Sequence, residues 1–368
     1  MHKNKSLKEL NILRAIAFIL VVEQHTMGGF YRTKNITNLN YGIFSLLYVM
    51  AKPAVSIFVC ISGIVLFYNY SEKFNVAKYY KKRISSIIIP YITWSLIYLF
   101  LSGDMSHIIM ILLSGGARFH LWYMGMIIRL LIYFPIILYL SKKVYKSNTF
   151  VKIAIFILLV ISYYYLNKYQ NEICHYIINL IYSNPTKYEK KFINISPLFW
   201  YLYFIIGIYI SFSYDKFKKI ILKYKALIFI GYIFLLSYSY LNQVKVIKFN
   251  RCLYLAYCVF SFLALYIVSV KFTNKTGTCN FFNFISRYSF SSYLAHIWVL
   301  GKLMKIMQWS HENILLYGLT LWLGTSIAAP FLMKLITYIP FTKVITGKPS
   351  SNALLLKITG KTGFGQSV

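Results

Sequence analysis

Two residues in the first apolar stretch, Leu10 to Met27, are of types that do chemistry: Arg14 and His25. They lie eleven residues apart. On a helix that spacing returns the second side chain to within about 20° of the first, roughly 16 Å further along the axis. One face of one helix would then carry a fixed cation near its start and a titratable imidazole deep in the apolar layer. Ionisable groups inside a membrane span are costly, which makes them site candidates. The plainer reading is an anchoring arginine and a histidine bonded to a neighbouring helix.

Four further stretches carry candidate groups. Phe58 to Tyr70 holds Ser62-Gly63, a small pair that lets helix backbones approach. In Tyr79 to Tyr91, Lys81, Lys82 and Arg83 stand where the chain re-enters the apolar layer. Such a cluster can hold phosphates, or it can set topology and meet lipid headgroups. Gly115-Gly116 leads into His120 and Trp122. Those two can contact a polar substrate and stack on a sugar ring, or serve as interfacial anchors. In Ser286 to Leu300, His296 has Ser292 four residues earlier on the same helical face, a hydroxyl within bonding reach. Glu23 points about 200° away from His25 by the same geometry; a basic group on another helix is its expected partner.

The elements that position these groups follow from composition. Of 368 residues, 58% are hydrophobic and only 13% are charged, too few for a soluble surface of this size. The expected fold is all-α, a polytopic membrane protein. Ten runs are long enough to cross a bilayer: 10–30, 44–68, 84–102, 120–141, 149–167, 196–213, 225–241, 252–270, 284–304 and 314–338. The short runs 105–114 and 171–183 read as re-entrant or interfacial pieces. Residues 1–340 form one bundle, and 341–368 read as a polar cytoplasmic tail. The first helix reads as a retained span, since Arg14, Glu23 and the absence of a small-residue cleavage site argue against a leader.

The formal net charge of +32 sits mainly between the apolar runs, so membrane lipids explain it better than nucleic acid. With the N-terminus in the cytoplasm, inner segments hold about 21 Lys and Arg against about 11 outside. Both termini are therefore expected to be cytoplasmic in a multi-pass cell-membrane protein. Five scattered cysteines form no CxxC pair and have no histidine at ligand spacing, and no metal site is expected.

Taken in order, Arg14 with His25, FVCISGIVL (58–66), KKRISSIIIPY (81–91), HLWYM (120–124) and SFSSYLAHIWVL (289–300) resemble the membrane acyltransferase-3 family. Its members O-acetylate or otherwise acylate sugars of bacterial surface glycans. The resemblance implies a ten-helix domain that takes an acyl group, acetyl or succinyl, from cytoplasmic acyl-CoA, with acetyl-CoA the expected donor. It would deliver that group to a hydroxyl of a glycan or lipid-linked sugar, with glycan-synthesis proteins as further partners. It also implies His25 as the catalytic group, as base or nucleophile, and Arg14, Lys82 and Arg83 near the CoA phosphates. His120, Trp122 and His296 become substrate contacts. The family's basic motif carries two arginines three apart. Arg83 matches the first, and Ser86 stands where the second is expected. A non-enzymatic glycan exporter and a structural partner in glycan synthesis are the competing readings.

Overall fold

The chain is described by a computed structural model covering residues 7–32, 36–103, 106–307 and 313–348. Most of the proposed tail, 349–368, lies outside the described residues.

Leucine, isoleucine, valine and phenylalanine dominate the first stretch, where an apolar surrounding leaves the backbone only its own hydrogen bonds, and it forms α1 (Lys8–Phe30) without a break. α2 (Asn38–Ala51) and α3 (Ala54–Tyr70) follow as one 33-residue apolar span interrupted at Lys52-Pro53. Proline has no N–H for the ladder, which explains the interruption. The Lys52 ammonium at that break donates to Gln243 Oε1 at 2.6 Å.

α4 (Val76–Arg83) passes through a π-helical turn, Ile84–Ile88, into α5 (Ile89–Ser102). Pro90 lies just past that turn and, lacking an N–H, cannot donate to the Ser86 carbonyl four residues back. α6 (Ile108–Ser114) is a seven-residue helix, followed by a 3₁₀ turn at Phe119–Leu121 and α7 (Trp122–Lys146). α8 (Thr149–Lys168), α9 (Gln170–Ile181) and α10 (Lys187–Asn194) come next. After them run α11 (Tyr201–Phe212), α12 (Tyr214–Lys223) and α13 (Lys225–Gln243). α14 (Arg251–Phe272), α15 (Thr276–Ile306), α16 (Ile314–Ile336) and the single turn α17 (Lys343–Thr346) complete the chain.

The described residues contain no β-strand. Among the described residues eight helical stretches are long and apolar enough to cross a bilayer, against ten expected runs. Two runs differ for separate reasons. The 196–213 run breaks into a 3₁₀ turn at Pro197–Phe199 and the twelve-residue α11, too short by itself. The 284–304 run belongs to α15, 31 residues long, whose serines, Arg287 and His296 give it a polar seam.

α1 is the axis of the bundle. Its apolar window is 72% buried, whereas that of α8 is 6% buried, so α8 presents Phe150, Ile157 and Leu158 to lipid while α1 is walled in by protein. α2, α3, α14, α15 and α16 all pack on α1. The Trp322 indole N–H of α16 donates to the Ile19 carbonyl at 3.1 Å. α3 and α11 cross at Gly63 and Gly207, where a Cβ on Gly63 would overlap the Phe204 carbonyl and one on Gly207 the Cys60 carbonyl. Small residues at a crossing let backbones meet.

Arg129 of α7 is a membrane arginine used for architecture. Its guanidinium donates to the carbonyls of Gly125 (2.9 Å), Phe192 (2.9 Å) and Ile195 (2.8 Å), and lies 4.3 Å from the Phe192 ring centre. This ties the α9–α10 region to α7, and a capping box between Thr186 and Glu189 starts α10.

Two substitutions test this packing in detergent-purified protein. Gly63→Val is expected to cost about 3 kcal/mol through overpacking, visible as a lower melting temperature and loss of the monodisperse chromatographic peak. Arg129→Ala, which removes the side-chain donors to Gly125, Phe192 and Ile195, is expected to cost a similar amount, about 3 kcal/mol, with Arg129→Lys intermediate. An unchanged melting temperature for either variant contradicts the structural role of the residue replaced.

Candidate active site

Three histidines far apart in sequence meet beside α1. His25 belongs to the last third of that helix, His120 to the 3₁₀ turn before α7, and His296 to the middle of α15. The His25 ring centre is 5.3 Å from that of His296, nearly parallel to it, and 6.2 Å from that of His120. His120 and His296 are 4.9 Å apart and edge-on. His120 and His296 are buried, and His25 is half-buried.

The backbone sets each ring. His296 Nδ1 lies 2.7 Å from the Tyr293 carbonyl one helical turn earlier. Opposite a carbonyl that nitrogen must carry the hydrogen, which leaves Nε2 as a lone pair, and Nε2 has no partner. The Ser292 hydroxyl expected from the sequence to hold this ring does not do so and is itself unpartnered. His120 Nε2 faces the Leu294 carbonyl at 3.4 Å, and its Nδ1 is likewise buried and unpartnered. Two imidazole nitrogens in acceptor form are therefore buried in the cluster that His25 joins.

The surrounding chain is built to hold this arrangement. The Tyr98 hydroxyl donates to the same Leu294 carbonyl at 2.8 Å, and the Tyr293 hydroxyl donates to the His120 carbonyl. Gly115 adopts φ +60° and abuts the Leu121 carbonyl, where a Cβ would overlap. The Lys191 ammonium bonds the Gly115 carbonyl at 2.9 Å. The 3₁₀ turn with His120 is thereby pressed into the bundle. An interfacial anchor role for His120, the plainer expectation, is overturned by that burial.

A cavity of about 380 Å³ opens from the end of the bundle where α1 begins. Four cations line it: Arg14 of α1, Arg83 of α4, Arg287 of α15 and Lys348 after α17. Ser62, Ser86, Ser286 and Ser289 add hydroxyls, and among the described residues the lining contains no carboxylate. Arg83 stacks 5.1 Å from the Tyr79 ring centre, with its Nε buried and unpartnered. Lys348 Nζ lies 4.4 Å from the Tyr288 ring centre. Burial, with Arg287 and Arg14 nearby, pushes the Lys348 amine down to about 8. Tyr123 and Tyr293 also line the cavity, 5.6 Å apart. Behind them lie the histidines, with the Tyr293 ring 5.7 Å from both His120 and His296.

The structure thus brings Arg14 and Arg83 to one cavity and the three histidines to the ring of side chains beyond it. Lys82 is exposed and outside the lining. Trp122 packs 5.1 Å from Trp200, which lines a separate aromatic cavity of about 750 Å³ with Tyr163, Tyr203, Arg251 and Tyr254. Glu23 is buried near Tyr232 and Tyr257 and forms no ion pair among the described residues, so the expected basic partner is not there. Sequence reasoning missed Arg287, Lys348, Tyr98 and Tyr293. Arg287 is the one with a visible signal, a charge nine residues before His296 in an apolar run. All five cysteines are free and none but Cys252 lines either cavity; Cys252 sits at the aromatic one. No group of three or more His, Cys, Asp or Glu among the described residues is arranged to hold a metal ion.

A profile described as an acyltransferase domain matches residues 7–336. Two curated relatives from Staphylococcus epidermidis, each titled probable poly-beta-1,6-N-acetyl-D-glucosamine export protein, are 24% identical over 348 residues. The match covers 91% of this chain and 93% of each relative. No solved structure matches. With the profile spanning every helix that carries a histidine of the cluster, and all of the cavity lining but its last three residues, this chain belongs to the acyltransferase family and is a multi-pass membrane acyltransferase.

Proposed function

We propose that the protein moves an acyl group, acetyl or succinyl, from cytoplasmic acyl-CoA to a hydroxyl of a cell-surface or secreted polysaccharide. The observation that carries this reading is a cation-lined cavity whose inner wall is backed by three histidines. The positive-inside bias puts the end where α1 begins in the cytoplasm. On that orientation the donor's phosphates meet Arg14, Arg83 and their neighbours, and its pantetheine arm runs toward Tyr123 and Tyr293. An arginine fork matches phosphate oxygens in geometry as well as charge.

His25 is the group proposed to do the chemistry. Its imidazole takes the proton from the acceptor hydroxyl as that oxygen attacks the thioester carbonyl carbon. The tetrahedral adduct collapses with cleavage of the carbon–sulfur bond, and the leaving thiolate recovers the proton from the imidazolium. The products are the acylated glycan and free CoA. His296 and His120 act as positioning residues, because the backbone fixes both rings and leaves each an acceptor nitrogen close to His25. A bilayer-buried site of this kind joins a donor from one face to an acceptor from the other.

The polysaccharide acceptor is inferred from the relatives, whose titles concern poly-beta-1,6-N-acetyl-D-glucosamine. Those titles also favour a second reading, export of a glycan through the bundle. One experiment separates the two: mass analysis of surface glycan, with its total amount, in cells carrying wild-type protein or His25→Ala. The transferase reading expects folded, membrane-inserted His25→Ala to lose the acyl mass increment, with the rate of transfer down about 10²–10⁴-fold. Normal acylation by that variant with less glycan outside the cell would favour export and contradict this mechanism. Arg14→Ala is expected to raise the KM for acyl-CoA and change kcat less, since Arg14 is remote from the reacting carbonyl; an unchanged KM removes Arg14 from the donor site.

A further inference from the structure

The basic motif has one arginine fewer than the family pattern, yet the cavity holds more cations than the motif supplies. The additional ones come from α15 and from the end of the described chain. How Lys348 arrives there can be followed atom by atom. Pro90, lacking an N–H, cannot donate to the Ser86 carbonyl. Gly347 seats against that carbonyl with φ +70°, a conformation that suits glycine, and a Cβ there would overlap the Ser86 oxygen and crowd Pro90. The preceding turn is held as firmly. The Trp94 indole N–H donates to the Ile345 carbonyl at 3.1 Å, and the Thr346 hydroxyl to the Thr342 carbonyl at 3.1 Å. Thr346 and Gly347 are buried, and Lys348 enters the cavity over Tyr288.

We propose that the segment Thr342–Lys348 completes the donor's phosphate site, with Lys348 and Arg287 supplying the charge that an arginine at position 86 would otherwise bring. The ligand is the phosphorylated nucleotide end of the acyl-CoA donor, so the inference rests on the transferase reading above. Its motivation is local. A small side chain at 86 leaves room in the cavity, Gly347 packs directly on the Ser86 carbonyl, and the next residue is a lysine. Like charges gathered without a carboxylate repel one another, and an anion with several charges relieves that repulsion.

The test uses full-length protein in nanodiscs, with calorimetric titration of CoA and, separately, of pantetheine, which lacks the nucleotide phosphates. Lys348→Ala is expected to weaken CoA binding about tenfold or more, the scale of a lost charge-assisted contact, and to leave pantetheine binding unchanged. Gly347→Val, which displaces the segment without removing its lysine, is expected to do the same. Adding Ser86→Arg to Lys348→Ala is expected to restore affinity.

A pH series gives a readout that a purely structural segment would not move. Above about pH 7.5 the phosphates are already fully ionised. Wild-type affinity is then expected to fall as pH rises through about 8 and the Lys348 amine loses its proton. Lys348→Arg is expected to flatten that fall. The groups facing Lys348 are Arg14 of α1, Arg83 of α4, and Arg287 and Tyr288 of α15. The arginines stay charged throughout this range. Wild-type binding of CoA with no loss in Lys348→Ala, or an equal loss for pantetheine, overturns the inference and leaves the transferase reading standing. Absence of CoA binding by the wild-type protein overturns both.

Discussion

Four positive charges face one cavity and no carboxylate answers them. Most of the architecture around the site is intelligible as the consequence. A guanidinium on the most enclosed helix of a membrane bundle is expensive unless something repays its lost hydration. Aromatic faces do part of that work, since Arg83 lies on Tyr79 and Lys348 on Tyr288. Hydroxyls from Ser62, Ser86, Ser286 and Ser289 supply polarity without charge. The remainder is left for a ligand, which is why the cavity reads as an anion site. Arg129 is the contrast: its donors are met by three carbonyls and its stacking partner by Phe192, so it holds helices together and asks for nothing more.

The helical class and most spans were legible in the sequence because a bilayer tolerates few alternatives to a long apolar helix. α15 and α11 fell outside the simple rule for opposite reasons, one too polar along its seam and the other too short. Both still belong in the bundle, α15 against α1 and α11 against α3. Within the site, the Arg14–His25 spacing could be read because both lie on one helix, where period and rise are fixed. His120 could not be placed that way. At a helix entrance next to a tryptophan it has the composition of an anchor. Its burial depends on Gly115 and on Lys191, 71 residues away from it. Lys348 was less legible still. Its position follows from a left-handed glycine at 347 seated on the Ser86 carbonyl, a contact with no periodicity to reveal it.

The histidine cluster and the cation cavity are separated by side chains rather than by helices. Tyr123 and Tyr293 belong to the lining on one side, and Tyr293 touches His120 and His296 on the other. Tyr293 also holds the carbonyl of His120 through its hydroxyl, and its own carbonyl orients His296. One residue of α15 therefore couples the end of the cation-lined cavity to the geometry of two imidazoles.

In the proposed mechanism a donor entering among the cations places its reactive carbon beside the histidines. The most direct measurement is an experimental structure of the protein in nanodiscs with a non-hydrolysable thioether analogue of acyl-CoA. Its phosphates are expected against Arg14 and Arg83 and its thioether beyond Tyr123 and Tyr293, within contact of the His25 ring. An analogue bound elsewhere, or bound with its acyl end pointing away from the three histidines, would contradict it.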